Sequence, residues 1–236
     1  RGVYDLSGEE AAKTGEWRDG IGRVLADTPP ADVAEILAPY LDVVRAENEG
    51  LERLQRYPGS PLLARRLLRP GDRLVVNEAH PEDGAQLKAL FAKDSSTKVL
   101  ALDGWMALKS LLPPPERRGL VLIDPPFEQA GEFQRLVEAL AAAHRRFATG
   151  TLLLWYAAKD HRRVKAFHRD AAELRIPKLL TAELYVREPL SEGALAGAGL
   201  LVMNPPFTLF GALEILLPYL TRTLRSEEHT SELQSL

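Results

Sequence analysis

The segment Asp124-Pro125-Pro126-Phe127 carries the side chains with the clearest chemical potential in this chain. It follows the apolar run Leu120–Ile123, which is typical of a buried β-strand. Each proline fixes φ and lacks an N–H, and the residue before each proline is held extended, so a rigid, non-helical corner is expected. Its carboxylate and carbonyl oxygens are acceptors, and Phe127 adds a flat apolar face. Acceptors beside a ring suit a flipped-out base that carries an exocyclic amine.

The elements that position this corner alternate between strands and helices. Short apolar runs at 73–76, 98–102, 119–123 and 151–155 predict strands, and amphipathic stretches between them predict helices. Strands that are apolar throughout indicate a parallel sheet covered on both faces. Two final strands, 179–186 and 199–203, are joined through the Gly-rich stretch 191–197 without a helix, so they predict a hairpin whose last strand is antiparallel.

Carboxylates follow three consecutive predicted strands. Glu78 follows the first, Asp103-Gly104 the second and Asp124 the third. Ligands of such sheets bind outside the carboxyl ends of the strands, and crowding like charges costs energy unless a ligand uses them. An acid after the second strand suits ribose hydroxyls. The alternative for Glu78 and Asp103 is a helix N-cap or a solvated loop acid.

The segment Tyr57-Pro58-Gly59-Ser60-Pro61 predicts the start of a helix. Ser60 is placed as the N-cap and Pro61 as the first helical residue. The free N–H groups and dipole of such a terminus favour an anion. A capped helix without a ligand is the alternative.

Composition limits the classes of function. The 236 residues are enough for one substantial core with a small subdomain. Without cysteine the chain has no disulfide or thiolate–metal site, which fits a reducing cytoplasm. The five histidines show no metal-ligand spacing, and no apolar run is long enough to span a bilayer, so neither a metal nor a membrane is expected. Residues 8–56 predict a helical subdomain, and 57–224 predict the strand–helix domain.

The two ends suggest that the sequence departs from a natural gene product. The chain begins at Arg1 without Met, so it reads as a fragment entered within a domain. Residues 225–236 resemble translated sequencing-adapter sequence, and we expect them to be non-native. The three glutamates of this tail account for the formal net charge of −3.

Basic residues cluster at four places in the chain. They are Arg65-Arg66-Arg69, Arg117-Arg118, His144-Arg145-Arg146 and His161-Arg162-Arg163 with the nearby Lys159 and Lys165. These clusters are compatible with contacts to nucleic acid and equally with solvated helix faces. Trp155 and Tyr156 are expected in the core.

With these motifs in place, residues 1–224 resemble the bacterial 23S ribosomal RNA adenine-N6 methyltransferases. The similarity also includes Arg117-Arg118-Gly119-Leu120, Arg146-Phe147-Ala148-Thr149-Gly150 and Leu154-Trp155-Tyr156. The resemblance implies an α/β fold with the Rossmann-like class I methyltransferase sheet, mostly parallel with an antiparallel last strand, and a small inserted helical subdomain. It also implies a cytoplasmic monomer whose partner is 23S rRNA, naked or in an early assembly intermediate.

The same resemblance implies roles for individual residues. Ser60, Glu78, Asp103 and Gly104 would bind S-adenosyl-L-methionine, and Asp124 would contact both this cofactor and the target base. Pro125, Pro126 and Phe127 would bind the base. Asp124 would be catalytic.

Two departures from the family pattern leave alternatives open. The family's N-terminal segment is missing, with its first central strand and Gly-rich loop, so the cofactor would lack one wall and the chain could be a non-catalytic RNA-binding fragment. Phe127 replaces the usual Tyr, and Asp-Pro-Pro-Phe also occurs in guanine-N2 rRNA methyltransferases. A similar corner, Asn204-Pro205-Pro206-Phe207, belongs to the predicted terminal hairpin and is interpreted as structural.

Overall fold

The computed structural model describes residues 1–8, 15–51, 53–127, 131–187 and 195–225. It forms two compact units, Arg1–Ala107 and Leu108–Leu236. The predicted non-native tail from residue 226 onward, and residues 188–194 of the predicted hairpin connection, lie outside the described residues.

Helices occupy much of the early part of the first unit. A π-helical turn at Arg18–Gly22 leads into α1 (Arg23–Ala26), and α2 (Ala31–Ala46) follows. The apolar stripe of α2 is buried at Val33, Leu37, Leu41 and Val44. Helix α2 continues through Pro39. Pro39 lies on the exposed side of the helix, where water can satisfy the carbonyl that has no N–H partner.

A short antiparallel strand pair closes this helical part. Strand β1 (Val3–Asp5) pairs with β2 (Arg56–Pro58), a pair that the sequence did not predict because three-residue strands show no periodicity. The side chain of Asn48 joins α2 to β2: its Nδ2 donates to the carbonyls of Val44 and Arg56, and its Oδ1 accepts from the N–H groups of Gln55 and Arg56.

The rest of the first unit is a parallel strand pair with its helices. Strand β3 (Leu74–Asn77) pairs in parallel with β4 (Thr97–Leu100). Helices α3 (Ser60–Leu67) and α4 (Pro81–Leu90) flank this pair. Leu62, Val76, Leu87 and Phe91 form their common core. Helix α5 (Gly104–Leu111) follows and spans the division between the units.

The second unit contains a four-stranded mixed sheet. Its strands are β5 (Leu120–Ile123), β6 (Thr151–Ala158), β7 (Leu179–Tyr185) and β8 (Gly197–Met203), in the order β5-β6-β8-β7. Strands β5 and β6 are parallel, whereas β8 is antiparallel to both of its neighbours. The prediction of an antiparallel last strand is therefore confirmed.

Helices cover the sheet of the second unit. They are α6 (Glu132–Arg146), α7 (His161–Glu173) and α8 (Leu209–Leu224). Tyr156 of β6 is fully buried against Phe133 of α6 and Phe167 of α7. Gly199 lies opposite Tyr156 on β8, and a Cβ there would overlap the Tyr156 ring, so glycine is required at this position.

The predicted strand–helix alternation is confirmed, although the hydrogen-bonded sheets differ from the single sheet that was expected. Within the described ranges, β3–β4 and β5-β6-β8-β7 form separate sheets. The expected additional central strand stays a prediction. In the same part of the chain, no helix is both long and apolar enough to cross a membrane.

Candidate functional site

The corner at residues 124–127 lies at the carboxyl end of β5. Ile123 pairs with Leu154 of the parallel strand β6, so Asp124 follows in register beside Trp155. Pro125 is buried, whereas Asp124 and Pro126 are exposed. The rigid corner inferred from the two prolines is therefore present at the edge of the sheet where ligands of α/β proteins bind.

The carboxyl group of Asp124 is accessible and partly desolvated. Its surface is accessible, but surrounding protein atoms remove part of the water from its carboxyl group, and this desolvation raises the pKa of Asp124 above the ordinary value of 3.8. The accessible surface lets a substrate reach the carboxylate. A raised pKa makes the carboxylate a better proton acceptor.

Phe127 has a backbone conformation that is uncommon for a bulky residue. Its φ is +54°, in the left-handed region, which costs roughly 1–2 kcal/mol for a residue with a Cβ. Two aromatic neighbours hold it there: the ring centroids of Phe133 and Trp155 lie 5.2 and 5.8 Å away in edge-to-face geometry. Strain held by surrounding contacts is common where a backbone must present groups to a ligand.

In the first unit, Glu78 and Asp103 follow the two parallel strands β3 and β4. Asn77, the last residue of β3, joins the two strand ends: its Nδ2 donates to the Leu102 carbonyl over 2.9 Å, and its Oδ1 accepts from the Leu102 N–H over 3.0 Å. The Glu78 N–H also donates to the Leu100 carbonyl. These bonds bring the chain around Glu78 and Asp103 to one edge of the strand pair, as predicted.

Both acids also make local hydrogen bonds. One oxygen of each carboxylate therefore has the N-cap or loop role that is the alternative to ligand binding. Asp103 Oδ1 accepts from the Met106 N–H over 2.9 Å and caps α5. Glu78 Oε1 accepts from the His80 N–H over 2.9 Å. Asp103 remains exposed, and its Oδ2 accepts no hydrogen bond from the described residues. Asp103 Oδ2 can therefore still accept a hydrogen bond from a ligand hydroxyl.

Ser60 differs from its prediction by one position. The N-cap of α3 is Gly59, and Ser60 is the first helical residue. A Cβ at Gly59 would overlap the Arg1 carbonyl, so a close approach of two backbones determines where the helix begins. The Ser60 hydroxyl therefore stays exposed and makes no hydrogen bond within the described ranges.

The helix of Ser60 is oriented with its first turn toward the acids. Arg65, near the end of α3, donates to Asp94 and to Ser96, which directly precede β4. The end of α3 thus lies at the amino ends of the parallel strands, and Leu62 packs against Val76 nearer the carboxyl ends. The N–H groups of the first turn consequently face the edge where Glu78 lies.

Gly104 is exposed directly after Asp103. A Cβ built on it would meet no atom within 4 Å, so the space at Gly104 is open. Ser60, Glu78, Asp103 and Gly104 all lie in the first unit, and residues 124–127 lie in the second.

The similar corner at Asn204 lies at the opposite edge of the four-stranded sheet. Since β8 is antiparallel to β6, its carboxyl end is beside Thr151, at the start of β6. Asn204 Nδ2 donates to the carbonyls of Ala148 and Gly150, and the Asn204 carbonyl accepts from the Thr151 hydroxyl. The side chain of Asn204 is thus used to join β8 to the start of β6, in agreement with a structural role.

Among the described residues, no group of three or more potential ligands could hold a metal ion. His161 and His168 both lie on α7, where His168 contacts Tyr156 instead.

Sequence reasoning did not identify Asn77, Phe133 or the position of Trp155 as parts of this site. Asn77 carries a weak signal, because a polar residue at the end of an apolar strand often bonds a neighbouring chain. Phe133 lies in one of the amphipathic stretches that predict a helix, and this pattern gives no indication of a site. Trp155 gave no signal beyond hydrophobicity.

The parallel strand β5 is followed by Asp-Pro-Pro-Phe, and the antiparallel pair β7–β8 completes the sheet. These features define an α/β protein of the Rossmann-like methyltransferase class. A family model described as ribosomal RNA large subunit methyltransferase D, RlmJ, matches residues 1–234. The chain belongs to this family.

Individual relatives agree with this assignment. Ribosomal RNA large subunit methyltransferase J of Haemophilus influenzae is 40% identical over 226 residues, 96% of this chain and 79% of that protein. The protein of the same name from Escherichia coli is 40% identical over 220 residues, 93% of this chain and 77% of the relative. The crystal structure of protein LPL1258 from Legionella pneumophila superposes with a TM-score of 0.84 at 32% identity, covering 95% of this chain and 80% of that one.

Proposed function

We propose that this protein methylates the N6 amino group of an adenine in 23S ribosomal RNA, with S-adenosyl-L-methionine as the methyl donor. The observation that carries the proposal is the accessible Asp124 carboxylate with a raised pKa, on a rigid corner at the carboxyl end of β5. Membership of an rRNA methyltransferase family supports the class of substrate.

The residues of the first unit fit the cofactor. The exposed outer oxygen of Asp103 can accept ribose hydroxyl protons, and the open space at Gly104 leaves room for the sugar. Glu78 lies at the same strand edge, and the Ser60 hydroxyl with the first turn of α3 can bind a carboxylate. When bound, S-adenosyl-L-methionine supplies an electrophilic methyl group.

Asp124 and Pro125 act on the amine. The lone pair of an adenine N6 is delocalised into the ring, so the amine is a weak nucleophile. If its two N–H groups donate to the Asp124 carboxylate and the Pro125 carbonyl, the nitrogen becomes pyramidal and its lone pair is available for bonding to carbon. As that bond forms, the bond between the methyl carbon and the donor sulfur would break and leave neutral S-adenosyl-L-homocysteine, the nitrogen becomes positive, and Asp124 accepts the released proton. Holding the amine in one orientation supplies a further part of the rate.

The role proposed for residues 126 and 127 is to confine the base. Pro126 limits the backbone, and the ring of Phe127, held by its aromatic neighbours, offers an apolar face to the flipped base. Because ribosomal RNA is the substrate, the reaction would take place in the bacterial cytoplasm.

Nucleoside analysis tests the proposal. Protein-free 23S rRNA that lacks the modification is incubated with the protein and S-adenosyl-L-methionine, digested and analysed by mass spectrometry. We expect N6-methyladenosine with the wild type and none with Asp124→Ala. N2-methylguanosine would instead support the alternative that Phe127 favours, a guanine-N2 enzyme. RNA binding without cofactor binding or methylation would show a non-catalytic RNA-binding fragment.

A further inference from the structure

We propose that the exposed basic segment formed by Lys159, Arg162 and Arg163, between β6 and the start of α7, binds the phosphates that flank the target nucleotide. The inference rests on the proposed function, because it takes RNA as the substrate. It adds the surface along which the RNA strand lies.

The position of the basic segment follows from the sheet. Strands β5 and β6 are parallel, so Lys159, after the end of β6, lies at the same edge as Asp124, after the end of β5. Strand β6 continues for four residues beyond Leu154, the partner of Ile123. At about 3.3 Å per residue, this places the basic segment roughly 13 Å beyond the corner along the strand direction. Its cations can therefore reach neighbouring phosphates without occupying the space of the target base.

The charges of the segment face solvent. Lys159, Arg162 and Arg163 are exposed, whereas Val164 on the inner side of α7 is buried. Residues 159–165 contain four Lys or Arg residues and one acid, Asp160. Asp160 is partly used as the N-cap of α7, where its Oδ1 accepts from the N–H groups of Arg162 and Arg163.

The existing partners of these cations leave them available. Arg163 Nε lies 3.8 Å from Asp160 Oδ2, and the Arg163 side chain is 75% exposed, so this pair is weak and can be replaced by phosphate. The side chains of Lys159 and Arg162 make no hydrogen bond or ion pair in the part of the chain that the structure describes. The backbone N–H groups of the helix start are capped, so the side chains provide the anion contacts.

Ring contacts hold this segment in a fixed position relative to the catalytic corner. Phe167 of α7 is buried, and its ring centroid lies 5.2 Å from that of Phe133. Phe133 in turn lies 5.2 Å from Phe127 in edge-to-face geometry. Helix α7, which carries the basic residues at its start, is thereby packed through Phe133 against Phe127 of the corner. A strand bound at one is aligned at the other.

RNA recognition supplies the reason for such a surface. Target bases are reached in single-stranded regions, where the base can leave the stack. Phosphate contacts position the strand without reading its sequence. Each contact releases counterions, so log affinity falls linearly with log salt concentration. The slope has a magnitude of about 0.7 per phosphate contact for single strands.

The test compares two triple variants of the full chain with equal loss of charge. Lys159→Gln/Arg162→Gln/Arg163→Gln removes the proposed surface. Arg118→Gln/Arg145→Gln/Lys178→Gln removes three exposed cations at the opposite edge, before β5, at the end of α6 and before β7. Binding to protein-free 23S rRNA is measured over a series of salt concentrations, together with the KM for RNA, kcat and the affinity for S-adenosyl-L-methionine.

For the first variant, we expect the slope of log affinity against log salt concentration to become shallower by about 2, because three phosphate contacts contribute about 0.7 each. Its KM for RNA should rise at least tenfold, with kcat and cofactor affinity retained, and the opposite-edge variant should match the wild type. Equal losses in both variants, or an unchanged salt slope in the first, would overturn the assigned surface while the proposed function stands. A wild-type protein that binds neither cofactor nor RNA would overturn both.

Discussion

The side-chain amide of Asn77 and the backbone of Leu102 form a reciprocal pair of hydrogen bonds, 2.9 and 3.0 Å long. This pair joins the ends of β3 and β4, where sequence reasoning had placed only two acids. Asp103 directly follows Leu102, so the orientation of its carboxylate depends on a residue of the neighbouring strand. Asn77 is therefore a positioning residue for the proposed cofactor site.

Asn77→Ala should weaken the binding of S-adenosyl-L-methionine without removing any group that contacts it. Loss of two hydrogen bonds of about 1 kcal/mol each lets the chain before Asp103 move, and we expect the Kd to rise about tenfold. Isothermal titration measures this change.

Asn48→Ala is the matched control, because it removes a similar backbone clamp that joins α2 to β2. It should lower the free energy of unfolding and leave the Kd of the cofactor unchanged. If both variants weakened the cofactor equally, the effect would be one of general stability, and the positioning role of Asn77 would be wrong.

Asp124→Asn should lower kcat by roughly 10²–10⁴-fold, the usual contribution of a positioned general base, while largely sparing cofactor affinity. Asparagine retains the shape and one acceptor oxygen but cannot take up the proton. Single-turnover methylation of 23S rRNA measures the chemical step. Retention of wild-type kcat in this variant would refute a base role for Asp124.

The raised pKa of Asp124 gives a pH dependence with a definite sign. The carboxylate is the active form, so kcat/KM should fall as pH falls through the pKa of Asp124 in the free protein, and this decline should begin above the range of an ordinary aspartate because desolvation raises the pKa. The pH profile of kcat/KM in the wild type measures the position of this acidic limb. An acidic limb at the ordinary value of 3.8 would contradict the desolvation.

The same shift affects stability in the opposite sense. A carboxyl whose pKa is raised in the folded state favours folding below its unfolded pKa, and this contribution is lost as pH rises through the folded pKa. At neutral pH the ionised Asp124 therefore costs stability, and Asp124→Asn should raise the melting temperature slightly. Thermal unfolding at pH 7 and at pH 3 provides the comparison, and the advantage of the variant should disappear at the lower pH.

Trp155→Ala should lower kcat for methylation although Trp155 is not proposed to contact the substrate. Without this ring, one of the two contacts that hold Phe127 at positive φ is lost, and the corner can relax. A shift of about 1 Å in a reacting group can cost about 10²-fold in rate. Methylation kinetics measure the loss, and Phe127→Tyr, which retains the ring contacts, should keep activity.

Phe207→Ala serves as the aromatic control, because Phe207 is 96% exposed and is the last residue of the structural corner at the opposite edge. Its kinetics should match those of the wild type. An equal loss of kcat in this variant would indicate a general effect of removing an aromatic ring.

The elements of this fold could be predicted from the sequence where the signal was periodic. Apolar runs located strands β3 to β8 but not the short pair β1–β2, and a sequence without a helical pattern between the last two strands predicted their hairpin. The helix start at Ser60 was displaced by one residue because a contact between Gly59 and Arg1, distant in sequence, determines the cap. The bonds of Asn77 and the rings around Phe127 could not be predicted, since they join residues whose proximity exists only after folding.

Tyr156 provides a stability prediction that is separate from the catalytic corner. Its buried hydroxyl donates to Glu183 over 2.9 Å and bonds His168 Nε2 over 2.8 Å, so β6, β7 and α7 share one polar cluster. Tyr156→Phe leaves both partners without this bond, and we expect a loss of about 1–3 kcal/mol in the free energy of unfolding. Tyr185→Phe is the matched control: its more exposed hydroxyl donates to the same Glu183 over 3.2 Å, and its removal should cost less. Urea denaturation of the two variants measures the difference, and equal losses would contradict a dominant role for the buried hydroxyl.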